Sequence, residues 1–267
     1  MRYNIVAILI LVSTLFSAWV CSANEVAEPT QPTPQKSVEE LWQQGEQAYR
    51  DGAYAEAVEA YEAILSQNME SAELYYNVGN AYFKDNKLGK SILFYNRALL
   101  LDPSDEDTQH NLQFARAKTK DNIEKLPEFF FVRWVREVRD WMSCDAWTLF
   151  SLVSLFVAVV ALLVYLLVRR VAARKAGFFV MIVAAVLFVI TTLFAASSHT
   201  RLTERNRAVV MSSAVSVKSS PDKNSTELFV LHEGTELIVG GVDGEWLEVQ
   251  IADGRTGWIE SNYIEKI

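Results

Sequence analysis

A repeated helical pattern decides the fold of the N-terminal half. Residues 75–103 read YYNVGNAYFKDNKLGKSILFYNRALLLDP. When the chain is shifted by 34 residues, Gly79 superposes on Gly45 and Tyr95 superposes on Tyr61. A period of this length is typical of a two-helix unit that stacks on its neighbours. We predict that the glycine of each unit permits close approach of the partner helix and that the tyrosine is buried between helices.

The pattern resembles the tetratricopeptide repeat, most closely in the second copy, where Ser91, Tyr95 and Pro103 stand at the expected positions. A more polar helix at about 106–123 resembles the terminal cap of such an array. The resemblance implies helical repeats over 37–124, whose first helices form a concave face that holds segments of partner proteins. The candidate partner-binding residues on that face are Gln43, Glu46, Tyr76, Asn77, Asn80, Lys84 and Asn111.

The first residues have the composition of a secretory signal peptide. A basic start at Arg2 precedes an apolar stretch, 5–20, that is short for a membrane span and is followed by small residues. We predict a signal peptide over 1–23 and a Pro-rich linker over 24–36. A lipidated Cys21 and an uncleaved anchor are the alternatives for the same stretch.

Two apolar stretches, 147–168 and 177–198, are each long enough to cross a bilayer. The segment between them, 169–176, contains four cations and no acid, which favours a cytoplasmic loop. Two spans return the chain to its starting side, so a leading signal peptide places both flanking domains outside. We predict a multi-pass protein of the bacterial inner membrane, in contact with the lipid bilayer, with both large domains in the periplasm.

Residues 125–146 precede the first span and have the pattern of an interfacial helix. Phe131 and Trp134 recur on one face, whereas Arg133 and Arg136 fall on the other. Such a segment lies at the headgroup level of a membrane. A buried packing helix is the alternative.

The C-terminal residues, 207–267, alternate between short strands and turns. The stretch 244–264 resembles bacterial SH3 domains and implies a small all-β barrel. The candidate ligand-binding residues of this domain are Trp246, Trp258 and Tyr263. Glu260 replaces the proline of SH3 domains that bind Pro-rich peptides, so the resemblance implies peptidoglycan or another envelope ligand instead. A core position is the alternative for Trp258.

Composition and motifs argue against catalysis and nucleic-acid binding. The net charge of −8 is the wrong sign for attraction to nucleic acid. The three histidines, His110, His199 and His232, lie on separate segments, and the sequence lacks the usual nucleophile, metal and phosphate-loop motifs. We therefore expect no enzymatic activity, no cofactor and no bound metal.

The order of the segments resembles the BatE-like proteins of the Bacteroides-type aerotolerance operon, and the stretches 111–116 and 126–130 add to that resemblance. It implies a non-catalytic scaffold of an oxidative-stress envelope complex. The implied partners are membrane proteins with von Willebrand factor A domains and a MoxR-type AAA+ ATPase system. The expected fold is multidomain: an all-α repeat array, a transmembrane helical hairpin and an all-β SH3-like barrel. A peptidoglycan-binding anchor that acts through the barrel is the alternative function.

Overall fold

The computed structural model describes residues 36–124, 126–203 and 206–267. The predicted signal peptide and all but the last residue of the predicted linker lie outside these ranges. The helices are α1 (Val38–Arg50), α2 (Tyr54–Leu65), α3 (Ala72–Lys84), α4 (Leu88–Leu101), α5 (Glu106–Arg116), α6 (Phe130–Arg139), α7 (Cys144–Leu167) and α8 (Val171–Thr203). The strands are β1 (Arg207–Val210), β2 (Val215–Lys218), β3 (Glu227–Leu231), β4 (Glu236–Asp243), β5 (Trp246–Gln250), β6 (Thr256–Glu260) and β7 (Ile264–Lys266). The predicted fold class is confirmed: a helical array, two long apolar helices and an antiparallel sheet follow one another along the chain.

The first four helices form two hairpins with the same internal packing. Gly45 on α1 faces Tyr61 on α2, and Gly79 on α3 faces Tyr95 on α4. A Cβ atom on either glycine would lie 2.5–2.7 Å from the nearest ring carbon of its tyrosine. Both tyrosines are buried. The roles predicted for the repeated glycine and tyrosine are therefore confirmed.

Local signals determine where these helices begin and end. The Ser71 hydroxyl accepts a hydrogen bond from the Leu74 amide at 3.0 Å and caps the start of α3. Asp105 caps α5 in the same way through the Asp107 amide. Asn86 ends the turn after α3 with a φ of 60°, a left-handed conformation that asparagine tolerates.

Helix α5 ends at Arg116, several residues before the end predicted for the capping helix. The Thr119 hydroxyl donates to the Arg116 carbonyl oxygen at 2.7 Å and helps to end the helix. Beyond this turn, the Asp121 carboxylate accepts hydrogen bonds from His232 and Thr235, in the connection between β3 and β4. The residues after Arg116 therefore leave the helix and contact the C-terminal domain.

Helices α7 and α8 pack against each other, and most of their large apolar side chains face outward. Both are long and apolar enough to cross a membrane. Small residues permit the close contact, since a Cβ atom on Gly177 would lie 3.1 Å from the Ala161 carbonyl oxygen. The hydroxyls of Ser151 and Thr192 lie 2.7 Å apart across the same interface.

The connection between these helices is shorter than predicted. Only residues 168–170 separate α7 from α8, so most of the predicted loop, 169–176, belongs to the first two turns of α8. Alanine, arginine and lysine favour helix, and a helix satisfies its own backbone whether or not it is in lipid. Helix α8 therefore begins six residues before its apolar stretch, 177–198.

The sheet is antiparallel, with its strands in the order β3-β2-β6-β5-β4-β1-β7. Strands β3 and β7 are its edges, so pairing among the described strands does not close the sheet into a barrel. Strand β3 is not evident from the sequence pattern, because Leu228 and Val230 are exposed on this edge and the strand does not alternate between buried and exposed residues. The remaining strands surround a core that includes Val217, Leu247 and Ile259.

Strand β1 joins the sheet to the helical array. Val209 and the C-terminal Ile267 pack into the core of the array, whereas Ala208 and Val210 pack into the core of the sheet. Successive side chains of a strand point to opposite faces. Strand β1 therefore presents one face to each core, and the two predicted domains share a hydrophobic boundary.

Candidate functional site

A hydrogen-bonded cluster links the first helix of the second repeat to the capping helix. The Tyr95 hydroxyl donates to the Asn80 side-chain oxygen at 2.6 Å, and the Asn111 amide nitrogen donates to the same oxygen at 3.0 Å. The Asn111 nitrogen also lies 3.3 Å from the Tyr76 hydroxyl. Burial raises the pKa of Tyr95 above its ordinary value of 10, so this hydroxyl keeps its proton and its role as donor. Three predicted site residues, Tyr76, Asn80 and Asn111, are thus brought together.

An aromatic pair lies one helical turn from this cluster. Phe83 follows Asn80 by three residues and Phe114 follows Asn111 by three, so each phenylalanine shares a helix face with its asparagine. The two rings lie 5.6 Å apart, and Phe114 is exposed. Lys118 lies over both rings, with its Nζ atom 5.4 and 5.1 Å from their centroids. We call Tyr76, Asn80, Phe83, Asn111 and Phe114 the inner stripe.

Phe83, Phe114 and Lys118 were not predicted as site residues. The available signal was the spacing of Phe83 from Asn80 and of Phe114 from Asn111, which repeats across α3 and α5. Sequence alone does not show that the two helices bring these side chains together. A hydrophobic residue at such a spacing is ordinarily interpreted as core.

The other predicted residues of the array lie apart from the cluster. Gln43 donates to Glu39 at 2.7 Å, and Glu46 accepts from Trp42 at 3.1 Å, so both are held by neighbours on α1. Asn77 is half-buried and Lys84 is exposed, both on α3. Of the predicted residues, only Tyr76, Asn80 and Asn111 are therefore joined to one another, at the end of the array formed by α3 and α5.

The sheet contains a cleft of about 460 Å³ that brings together Trp246 and Tyr263. Lys218, Lys223 and Glu260 also line it, and Lys223 lies 3.5 Å from the Glu260 carboxylate. The cleft therefore combines two aromatic rings with charges of both signs.

Trp258 lies beside this cleft on the outer face of β6 and is not one of its lining residues. It alternates with the buried Gly257 and Ile259, and it stands opposite Lys218 and Glu248 in the neighbouring strands. Ile259, and not Trp258, is the core residue of this strand.

A partly buried carboxylate fixes the sheet to the array. Glu236 on β4 accepts two hydrogen bonds from Arg116 on α5, at 2.6 and 2.8 Å, and one from Arg207 on β1 at 3.0 Å. Arg207 also donates to Asn96 on α4 at 3.2 Å. Burial by itself would raise the pKa of Glu236, but the hydrogen bonds and charges of the two arginines lower it below its ordinary value.

Further polar contacts connect the same two surfaces. The Asp121 carboxylate accepts from the His232 amide at 2.7 Å and from the Thr235 hydroxyl at 2.7 Å. Lys90 on α4 lies 2.6 Å from Glu265 on β7. The array and the sheet are therefore joined by ion pairs as well as by apolar packing.

Comparison with known families agrees with both modules. Residues 72–105 match the tetratricopeptide repeat, and residues 213–265 match the bacterial SH3 domain. A search of curated proteins found no match. Within the described residues, no group of three or more His, Cys, Asp or Glu side chains is placed to hold a metal ion. The matched modules are ones that typically bind proteins or cell wall and do not catalyse reactions.

Proposed function

We propose that this chain is a non-catalytic, membrane-anchored scaffold that binds a segment of a partner protein on the inner stripe. The observation that carries the proposal is the pairing of Asn80 and Asn111 beside Phe83 and Phe114 on a tetratricopeptide-type array. Polar and aromatic groups at this spacing suit a peptide, whose backbone needs hydrogen bonds and whose side chains need an apolar surface.

The geometry of the two amides supports a peptide ligand. The bond between them uses the side-chain oxygen of Asn80 and the side-chain nitrogen of Asn111. The remaining groups are the side-chain NH2 of Asn80, a donor, and the side-chain oxygen of Asn111, an acceptor. Together they complement the backbone of an extended peptide. Because Tyr95 is buried and bonded to Asn80, the amide is oriented before a ligand arrives, which reduces the entropic cost of binding.

The long apolar helices support a membrane location. Helices α7 and α8 are a pair, so the array before them and the sheet after them lie on one side of a bilayer that both helices cross. We infer that this side is the periplasm of a bacterial inner membrane, as the positive segment between the helices favours. The resemblance to BatE-like proteins then suggests an oxidative-stress complex with von Willebrand factor A-domain membrane proteins and a MoxR-type ATPase.

Site-specific photo-crosslinking in native membranes tests the binding surface. A photoreactive phenylalanine analogue replaces Phe114 in one chain and Met69, an equally exposed residue outside the inner stripe, in a control chain. We expect position 114 to crosslink to one membrane protein that mass spectrometry identifies, and position 69 not to do so. Equal crosslinking from both positions would contradict the proposal.

A second candidate function is anchoring to the cell wall through the sheet. The cleft with Trp246 and Tyr263 favours it, because aromatic rings beside charged groups suit sugars and short peptides of mixed charge. Sedimentation of the solubilised full chain with insoluble peptidoglycan tests it. If the anchor hypothesis holds, Trp246→Ala leaves the chain in the supernatant, whereas Trp258→Ala, outside the cleft, does not.

A further inference from the structure

An arginine-rich cavity of about 590 Å³ lies where helices α4, α5, α6 and α8 meet strand β1. The arginines that line it come from α5, α6, α8 and β1, and they are Arg116, Arg133, Arg136, Arg201 and Arg207. Glu128 and Asp140 are the acidic lining residues. The cavity is thus strongly basic in a chain whose net charge is −8.

Shared carboxylates leave positive charge in excess around this cavity. Asp140 accepts a hydrogen bond from Arg139 at 2.8 Å and another from Arg201 at 2.5 Å, so one carboxylate is shared by two guanidinium groups. Glu236 likewise serves both Arg116 and Arg207. With the pairs Arg136–Glu128 and Arg133–Glu137 included, four carboxylates face six guanidinium groups, and an anion entering the cavity meets an excess of preorganised donors.

The arginines of α6 are placed to reach such an anion. Arg136 pairs with Glu128, and Arg133 is 66% exposed and lies 3.7 Å from Glu137. Both side chains project from one short helix, three residues apart. Arginine binds phosphate oxygens through two parallel N–H groups, which makes phosphate the anion that this geometry suits best.

The surroundings of the cavity identify the source of the phosphate. Phe131, Trp134 and Trp141 are exposed on α6 and the turn after it, the placement expected of a helix that lies at the membrane surface. Arg201 belongs to the last turn of α8, beyond the apolar part of that helix. The cavity is therefore at the level of the lipid headgroups if α7 and α8 cross the bilayer.

We propose that this cavity binds the phosphate group of an anionic phospholipid headgroup. The proposal rests on the membrane location given under the proposed function, but not on the binding of a partner at the inner stripe. Bound lipid would tie α6, the end of α8 and the array–sheet boundary to the bilayer surface. The orientation of the whole periplasmic part then depends on lipid composition.

Native mass spectrometry of the full chain in detergent tests the proposal, with dioleoyl phosphatidylglycerol and dioleoyl phosphatidylcholine as probes. We expect one phosphatidylglycerol to bind more tightly than phosphatidylcholine. The double variant Arg133→Gln/Arg136→Gln should weaken it about thirtyfold, the factor expected for two arginine–phosphate contacts near a membrane. The single variant Arg133→Gln, at an exposed position where folding is insensitive, should weaken it about fivefold.

Arg169→Gln/Arg170→Gln is the matched control, because it removes the same charge at the opposite end of the membrane hairpin. Equal loss of lipid in both double variants would show general attraction to headgroups and would overturn the proposal. If the chain binds inorganic phosphate, and binds the two lipids with equal affinity, the cavity is a site for a soluble anion. That result would also overturn the proposal. None of these outcomes changes the crosslinking expected from position 114. The lipid proposal can therefore fail while the proposal of partner binding at the inner stripe stands, and the reverse.

Discussion

A Cβ atom on Gly79 would lie 2.7 Å from the ring of Tyr95, closer than two carbon atoms approach in a packed core. The tyrosine is 1% exposed and has neighbours on every side, so it cannot move away without disturbing the array. The same relationship holds between Gly45 and Tyr61. The glycine of each hairpin is therefore a requirement of helix packing.

Gly79→Ala should destabilise the array by about 1–3 kcal/mol, the usual cost of overpacking, despite the better helix propensity of alanine. Urea unfolding of the full chain in mild detergent, followed by circular dichroism, measures this change. Gly79→Ala combined with Tyr95→Leu should cost less than the sum of the two single changes, since the smaller side chain relieves the contact. Strict additivity would show that the two residues do not meet.

Replacement by alanine should affect stability differently at Asn80 and at Asn77. Both are candidate site residues on α3. Asn80→Ala removes the acceptor of a buried hydroxyl and should cost about 1–3 kcal/mol. Asn77→Ala should change the free energy of unfolding by less than about 0.5 kcal/mol, as is usual for sites without such a role. The same unfolding experiment compares them, and equal effects would contradict the hydrogen bond between Tyr95 and Asn80.

Glu236 should make the stability of the array–sheet boundary depend on pH. Its pKa in the folded chain lies below the ordinary value of 4.5, so the folded state holds fewer protons than the unfolded state in the interval between these two values. Its stabilising contribution is fully present above 4.5 and is lost as the pH falls through the folded pKa.

Thermal unfolding between about pH 3 and pH 6 measures this dependence. The glutamine of Glu236→Gln cannot ionise. The midpoint temperature of unfolding of this variant should therefore fall less steeply with decreasing pH than that of the unmodified chain. A fall of the same steepness in both would show that Glu236 does not contribute.

Cysteine labelling should report the membrane topology. Cysteines introduced at Ser104 and Ser220, both exposed, should react with an impermeant maleimide in intact spheroplasts when Cys144 is replaced by serine. A cysteine at Ala172, exposed near the start of α8, should react only after the membrane is opened. Labelling of Ala172→Cys alone in intact spheroplasts would reverse the orientation.

The pattern of the sequence determined the elements of this protein and the local packing within each repeat. Both hairpins meet the same steric requirement, so the glycines (Gly45, Gly79) and the tyrosines (Tyr61, Tyr95) recur at a fixed spacing. Such a requirement appears in the sequence as a repeated pattern. The apolar length of α7 and α8 is visible for the same reason. The unpaired edge strand β3 was missed, since Leu228 and Val230 are exposed and their pattern is not that of a half-buried strand.

Only the tertiary structure decided how the parts meet. Val209, Glu236 and Asp121 look like ordinary strand and loop residues in the sequence, yet each contacts a partner more than a hundred residues away in the chain. The same holds for the inner stripe, where Phe114 joins the other residues only through its contact with Phe83, and for the five arginines of the basic cavity. Such contacts depend on the relative placement of whole helices and strands, and a local pattern of residue types does not encode that placement.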